Sequence, residues 1–419
     1  MKQEEQTLHV YMNAYKAGLL VQDMTGQLSF TYDQSYLQHP GAIPLSFSLP
    51  LQEAKFNNSQ CRGFFSGLLP ESEVREVVAK NLGISAKSDF SMLREIGGEC
   101  AGALSFIVPG QEQTVHAHDN KHLTDSEFAG ILRSLPQRPL LAGVKDIRLS
   151  LAGAQEKLAI IYDDSGIALP LGSAISTHIV KPDLVKFPDI IYNEELCMQL
   201  AQLIGLQTAD AQIKFANTTP YLLIKRYDRM QSGHTDKPIE RIHQEDFCQA
   251  LGIISDRKYQ REGGPSLANC FNLIRETSVV PSTDLLQMLN AVLFNFLIGN
   301  NDAHGKNFSF LYVMNDDGGF SMRLAPFYDL ISTSYYPELS PLMAMEMGDK
   351  YISAEVKLKH FENMAQQCGL SNAMLLRQLR VIIQRILNAI HQLDLSHPKR
   401  SAVADFISRR VSDLSPIFK

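Results

Sequence analysis

IGNNDAHGKNFSF, residues 298–310, follows the apolar run DLLQMLNAVLFNFLIG (284–299) and leads into FSFLYVMNDDGGFSMRLAP (308–326). The run has helical periodicity, and the second segment reads as a hairpin whose residues Asn315 to Gly319 accept the positive φ of a tight turn. Between them lies a polar loop in which Asp302 and Asn307 are five residues apart. An aspartate there can take a proton from a hydroxyl, and an amide oxygen is a hard ligand for a divalent cation. PFYDLIS (326–332) then places Asp329, a second hard oxygen ligand, just past the second hairpin strand. Taken singly, each of these residues reads as an ordinary cap or Asx-turn. Their order, spacing and intervening hairpin are those of a phosphoryl-transfer loop. Lys306, between the two loop residues, either steadies phosphate charge or is solvated.

Working outward, such a loop needs a lysine on a strand to hold the phosphates and a carboxylate on the next helix to orient it, as in a protein kinase. THIVKP (177–182) ends a strand on Lys181, and the helix NEELCMQLAQLIGL (193–206) follows with Glu194 and Glu195, of which Glu194 is the preferred partner. Alone, Lys181 is equally well a solvated strand-end lysine. IRLSLAGAQEKLAIIYDD (147–164) reads as two strands around a tight Ala-Gly-Ala turn. Small residues there let a backbone approach phosphate, although one glycine fits neither common glycine-rich phosphate motif, and by itself the segment is a hairpin turn. Lys225, Arg226 and Tyr227, in PYLLIKRYDR (220–229), lie where a hinge would offer backbone groups to adenine; a strand end with a solvated basic pair fits the sequence equally.

The first hundred residues read mainly as short strands and turns, including LHVYMN (8–13), QLSFTY (27–32) and PLSFSLPL (44–51), with a helix at 71–82. SDFSMLREIGGECAGALSFIV (88–108) runs from helix to strand. The polar stretch 109–126 marks a boundary; its His116, His118 and His122 read as part of a solvated linker rather than a metal site. After His243 the chain turns to apolar-periodic helices: EDFCQALGI (245–253), SLANCFNLIRET (266–277), the run before the loop, and LLRQLRVIIQRILNAIHQL (375–393). The expected domains are a strand-rich subdomain over 1–110, a nucleotide-binding small lobe over 111–235 and a helical catalytic lobe over 236–419.

A length of 419 residues, at about 150 per domain, agrees with two or three domains. With 39 Lys plus Arg against 45 Asp plus Glu, the net charge is −6, and 45% of residues are hydrophobic. That excludes a disordered, collagenous or disulfide-stapled chain and disfavours coating of nucleic acid. The polar start MKQEEQTLHVYMN has no signal-peptide character, and the most apolar stretch, 289–299, is too short to span a bilayer. Six scattered cysteines without a C-x-x-C pair fit a reducing compartment, so a cytoplasmic protein without membrane association is expected.

RLSLAGAQEK (148–157), THIVKP (177–182), RIHQEDFCQALG (241–252), KYQREGGPS (258–266), IGNNDAHGKNFS (298–309) and PFYDLIS (326–332) together closely resemble the HipA family, serine/threonine kinase toxins of bacterial toxin–antitoxin pairs. The resemblance implies an α+β, two-lobed protein-kinase-like fold with a strand-rich N-terminal subdomain and a mainly helical C-terminal lobe. It implies ATP and Mg2+ as cofactors. It makes Asp302 the catalytic base and Asn307 and Asp329 the Mg2+ ligands. Ala152, Gly153, Ala154, Gln155, Glu156 and Lys157 fall at the ATP phosphates, as does Lys181; Lys225, Arg226 and Tyr227 fall at the adenine. His304, Gly305, Lys306 and Asn307 fall at the nucleotide, Tyr328 beside the metal-binding Asp329. Ser150 matches the family's autophosphorylated serine, whose modification adds negative charge beside the phosphate turn, ejects the loop and silences the kinase.

The partners implied are a helix-turn-helix, HipB-like antitoxin, with which the toxin represses its operon, and a protein substrate of the aminoacyl-tRNA synthetase class, glutamyl-type in the founding case. The helix KHFENMAQQCGLS (359–371) carries Gln366 and Gln367 where the founding member is basic, so contact with DNA is expected mainly through the antitoxin. Two other readings compete: a corepressor scaffold with little activity, which would not turn over ATP, and a small-molecule kinase of the aminoglycoside type, which leaves Ser150 and the N-terminal lobe unexplained.

Overall fold

The computed structural model describes residues 5–111, 120–230, 239–315 and 319–418. His116, His118 and the hairpin-turn residues Asp316 to Gly318 lie outside the described residues; His122 is exposed on the short strand Asn120–His122. The chain divides into two units, one of residues 1–182, 214–256 and 310–321, the other of 183–213, 257–309 and 322–419.

The first unit opens with the strands Gln6–Met12, Tyr15–Gln22 and Leu28–Tyr32, which join Leu104–Ile107 in a four-stranded antiparallel sheet. Alternation builds it: Leu8, Val10 and Met12 are buried while Thr7, His9 and Tyr11 are not. The capping box of Asn57 and Gln60 starts the helix Asn58–Phe65, which carries Phe64 and Phe65 into an aromatic core with Phe30, Phe56 and Phe106. The helices Ser72–Leu82 and Asp89–Ile96 follow as the periodicity predicts.

PLSFSLPL is not a strand. Its only ladder contact is the bridge between Ser46 and Leu49, because its polar groups are taken by a buried carboxylate. Ser46 Oγ and the Phe47 N–H (2.9 Å) both donate to Glu245, as does the Tyr312 hydroxyl, while Ser48 Oγ donates to the Gln249 carbonyl. Burial pushes the Glu245 carboxyl up to about 7.

The expected pair of strands at 147–164 is also corrected: only Leu158–Asp163 is a strand. Residues 148–153 bond elsewhere, as the Arg148 guanidinium donates to the carbonyls of Arg94, Glu95 and Phe106 and the Ser150 N–H to that of Glu99. The strand Leu158–Asp163 lies in a six-stranded sheet ordered Asn120–His122, Gly166–Pro170, Leu158–Asp163, His178–Pro182, Thr219–Lys225, Ala211–Ala216. The hairpin strands Ser309–Met314 and Phe320–Leu324 form a smaller sheet with Gln244–Asp246. EDFCQALGI yields only one helical turn, Phe247–Ala250, capped by Asp246 and closed before Gly252 at φ 68°.

The second unit is mainly helical: Ile190–Leu203, Leu267–Thr277, Pro281–Ile298, Leu358–Gln367, Asn372–Ile390 and Pro398–Leu414. Pro281–Ile298 is buried nearly all round over its last three turns and packs against Leu267–Thr277, Asn372–Ile390 and Pro398–Leu414. The last helix has a weak apolar stripe, Val403, Ala404, Ile407 and Val411, which the sequence reading passed over. Among the described residues no helix is long and apolar enough to cross a membrane, and all six cysteines are buried thiols.

Gly299 ends the central helix at φ 77°, its N–H closing on the Phe296 carbonyl. A Cβ there would lie 2.7 Å from Ser334 Oγ and 2.8 Å from Ser334 Cβ. Gly299→Ala is expected to cost about 1–3 kcal/mol from the left-handed backbone and the clash together. A thermal melt checks this; an unchanged midpoint contradicts it.

Candidate active site

In the second unit, the loop after Gly299 is pinned at every step. Asn295, which interrupts the apolar run, accepts from the Asn300 side chain (2.8 Å), and its carbonyl takes the Asn300 N–H (2.8 Å). Asn300 Oδ1 in turn accepts from the Asp302 N–H (3.1 Å), and the Asn301 N–H donates to Thr333 Oγ1 (2.7 Å). Ser332 closes the frame: its hydroxyl donates to the Ile298 carbonyl, and its backbone exchanges two hydrogen bonds with the Asn193 amide.

Asp302 is half-buried, and its Oδ1 accepts from the Tyr259 hydroxyl at 2.7 Å. The His304 N–H and, at 3.4 Å, Asn307 Nδ2 both turn to the Asp302 carbonyl. Gly305, Lys306 and Asn307 form one buried 3-10 turn, so Lys306, at 7% exposure, is not the solvated lysine of the alternative reading. Tyr328 donates to the Lys306 carbonyl (2.6 Å) and shares a hydrogen bond with Ser309 (2.8 Å), tying the end of the hairpin to the loop. Asp329 follows at φ 58°, a left-handed conformation that aspartate tolerates better than most residues and that is concentrated at functional positions.

With Asn307 Nδ2 turned to the Asp302 carbonyl, the amide oxygen is the end left to a ligand, and Asp329 adds a carboxylate. Two hard oxygen donors on fixed backbone suit Mg2+, which takes one or two protein oxygens and completes its shell with water and phosphate. Among the described residues no cluster of three His, Cys, Asp or Glu could hold a metal ion by itself.

In the first unit, residues that the sequence assigned to the nucleotide lie on or next to the six-stranded sheet. Leu158 pairs with Val180 and Leu222 with Lys181, so one step along the register brings Lys157 to the same end of the sheet as Lys181. Lys181 is 5% exposed, which removes the reading of a solvated strand end. Lys157 Nζ donates to the Ala152 carbonyl at 2.6 Å and closes the Ala152–Lys157 turn on itself. Gly153, at φ 108°, bridges to Pro70. Ala154, Gln155 and Glu156 complete the turn without regular structure. Ser150 is fully buried, its Oγ donating to the Leu68 carbonyl (2.7 Å).

Lys225 is exposed and Tyr227 half-buried, whereas the Arg226 side chain is committed to the interior. Its guanidinium pairs with Asp228 (2.9 and 2.7 Å) and donates to Ser176 Oγ and the Cys100 carbonyl. Arg229 joins Asp228 (3.0 Å) to Glu99 (2.9 Å). Burial raises both carboxyls, but the guanidiniums outweigh it and hold Glu99 and Asp228 below their ordinary values. Sequence reasoning missed this network and Tyr259, although Tyr259 lies in a motif quoted above; the glycine pair four residues after it was the available signal.

The fold is α+β, two-lobed and protein-kinase-like, with sheets and short helices in the N-terminal part and helices in the C-terminal part. The HipA-like C-terminal domain matches residues 149–393, and the HipA N-terminal domain matches residues 8–107. The chain belongs to the HipA family. It is 42% identical over 388 residues to a Sinorhizobium fredii protein named "Putative kinase Y4mE", covering 91% of this chain and 90% of that one. It is 30% identical over 405 residues to the serine/threonine-protein kinase toxin HipA of Shewanella oneidensis, covering 94% and 90%. A solved structure of the Shewanella oneidensis HipA, HipB and operator DNA complex superposes with a TM-score of 0.85 at 27% identity, covering 98% of each chain. These relatives are kinases by name, and this chain shares their family and fold.

Proposed function

We propose that this chain is an ATP- and Mg2+-dependent protein serine/threonine kinase, the toxin of a toxin–antitoxin pair. The observation that supports the reading is the loop of the second unit, whose hydrogen-bonded backbone carries Asp302 and Asn307 and is followed past the hairpin by Asp329, residue types suited to a base and two hard ligands. Asn307 and Asp329 would hold Mg2+, which would supply positive charge to offset that of the phosphates. Asp302 receives the acceptor hydroxyl's proton, while Lys306, Lys157 and Lys181 offer positive charge to phosphates and Lys225 to Tyr227 border the adenine. The Arg226 guanidinium, engaged elsewhere, leaves that segment's backbone as what contacts the base.

The substrate is a translation component of the aminoacyl-tRNA synthetase class, and the partner a helix-turn-helix antitoxin through which the pair reaches DNA and represses its operon. Family membership supports the first, and the antitoxin-bound relative the second. The helix Leu358–Gln367 supports the indirect route to DNA: Gln366 is exposed and uncharged, and Gln367 donates to the Gly348 carbonyl.

A phosphoproteome of cells expressing the chain, compared with cells expressing Asp302→Asn, tests the reading and names the substrate. Absence of any Asp302-dependent phosphosite sinks it.

Ser150 is the autophosphorylation site in this reading. A phosphate adds about −1.5 to −2 charge and cannot occupy the fully buried position beside the Leu68 carbonyl, so the Ser150–Lys157 segment must leave its place. Ser150→Asp is therefore expected to weaken ATP binding by roughly tenfold or more, read by calorimetry, because it buries an unpaired charge under the phosphate turn. Unchanged ATP affinity contradicts this.

A further inference from the structure

We infer that Tyr259 is a positioning residue for phosphoryl transfer, its hydroxyl committing one oxygen of the Asp302 carboxylate so that the other faces the hydroxyl to be phosphorylated. The inference rests on the reading of Asp302 as general base.

The hydrogen bond from Tyr259 Oη to Asp302 Oδ1 is 2.7 Å, and the ring meets His304 edge-on at 5.5 Å between centroids. Both contacts lie within the second unit. The backbone of Asp302 is fixed by Asn300 and by its own carbonyl's acceptance from His304, but neither restrains the carboxylate about its terminal torsion, which is broad for aspartate. Tyr259 supplies that restraint.

Tyr259 is itself held by a glycine-locked turn. Its carbonyl accepts from the N–H groups of Glu262 and Gly264, both at 2.9 Å. Gly263 is left-handed at φ 95°, and a Cβ on Gly264 would lie 2.5 Å from the Arg257 carbonyl oxygen. Gln260 Oε1 accepts from the Glu346 N–H at 3.0 Å, and the Arg261 guanidinium lies over the Tyr351 ring. Both glycines and the two anchoring side chains thus place one phenol against one carboxylate. This gives the KYQREGGPS motif a role that packing alone does not explain.

In the step, the acceptor hydroxyl's proton passes to Asp302 Oδ2 as its oxygen bonds to the γ-phosphorus, and the bond from that phosphorus to the bridging oxygen breaks, ADP leaving with the electron pair. Tyr259 keeps its own proton throughout.

Tyr259→Phe keeps the ring against His304 and removes only the donor, so the melting temperature is expected to stay that of the wild type. With full-length protein, Mg2+-ATP and casein as acceptor, kcat is expected to fall about tenfold or more while KM for ATP changes less than about twofold. A role confined to packing would not produce that split between kcat and KM at an unchanged melting temperature. A Tyr259→Phe variant with wild-type kcat overturns the inference, and one with raised kcat overturns it by showing instead that the phenol occupies the acceptor's place. Asp302→Asn is run alongside. Wild-type protein that transfers no more phosphate than Asp302→Asn overturns the functional reading itself, and the inference with it.

Discussion

Asp302→Asn is expected to lower phosphoryl transfer by about a thousandfold, within the 10²–10⁴ range that a positioned general base contributes. The substitution is nearly isosteric, and everything that shapes the loop survives it. Asn300 bonds the backbone N–H of residue 302, and His304 and Asn307 bond its carbonyl. The amide oxygen can still accept from Tyr259. What is lost is a group able to hold the acceptor's proton, since an amide oxygen is far too weakly basic. ATP affinity and the melting temperature should therefore match the wild type while transfer to protein, autophosphorylation and growth inhibition disappear together. If the variant kept activity within tenfold of the wild type, another residue would have to be the base.

Asp302, Asn307 and Asp329, the proposed base and ligands, could be picked out of the sequence because they come from one loop and one hairpin, consecutive along the chain, so sequence spacing nearly determines spatial order. The strand that ends near Lys181 was legible for a related reason: it and the helix after it are consecutive elements. Interactions that cross the sequence were not. Ser46 and Glu245 are 199 residues apart, Arg229 and Glu99 are 130 apart, and even Tyr259 and Asp302 are separated by 43.

The same distance explains the two strands read where none exists. PLSFSLPL and RLSL alternate as strands do, but a remote carboxylate takes the Phe47 N–H, and the RLSL backbone meets only the remote Glu99 through a single bridge; alternation has no information about such partners. Asn295 shows the converse. It looked like an interruption of an apolar helix and is the anchor for the loop that follows.

Asp228→Ala is expected to lower stability at pH 7 by about 3–5 kcal/mol, the usual cost of leaving a buried charge without its partner. Its carboxylate is paired by Arg226 and Arg229 and accepts from the Gly102 N–H (2.7 Å) and Gln244 Nε2 (3.2 Å). Removing it leaves two buried guanidiniums with Glu99 as their one carboxylate partner among the described residues. The network is not a surplus of stability, because one Glu99 oxygen has no hydrogen-bond partner, and a well-packed apolar replacement of all four side chains could match it. Its use is positional. The Glu99 carbonyl holds the Ser150 N–H at 2.8 Å, and the Arg226 N–H donates to the Thr177 carbonyl at 3.0 Å, so the four charges fix the segment that leads into the Ala152–Lys157 turn and the segment before Tyr227 together. The sign of the pH effect follows from the carboxyls. Both lie below their ordinary values in the folded unit, so their stabilisation is full above about pH 4, the unfolded range, and is lost as pH falls toward their folded values. Urea titrations should show the gap between wild type and Asp228→Ala at its widest near neutrality and narrowing below about pH 4 as the wild type loses the same interaction. ATP affinity of the variant should fall as well, because the turn at Ser150 loses its anchor. A gap of less than about 1 kcal/mol at pH 7, within the range of an exposed pair, would show that the network contributes no more than surface charges do.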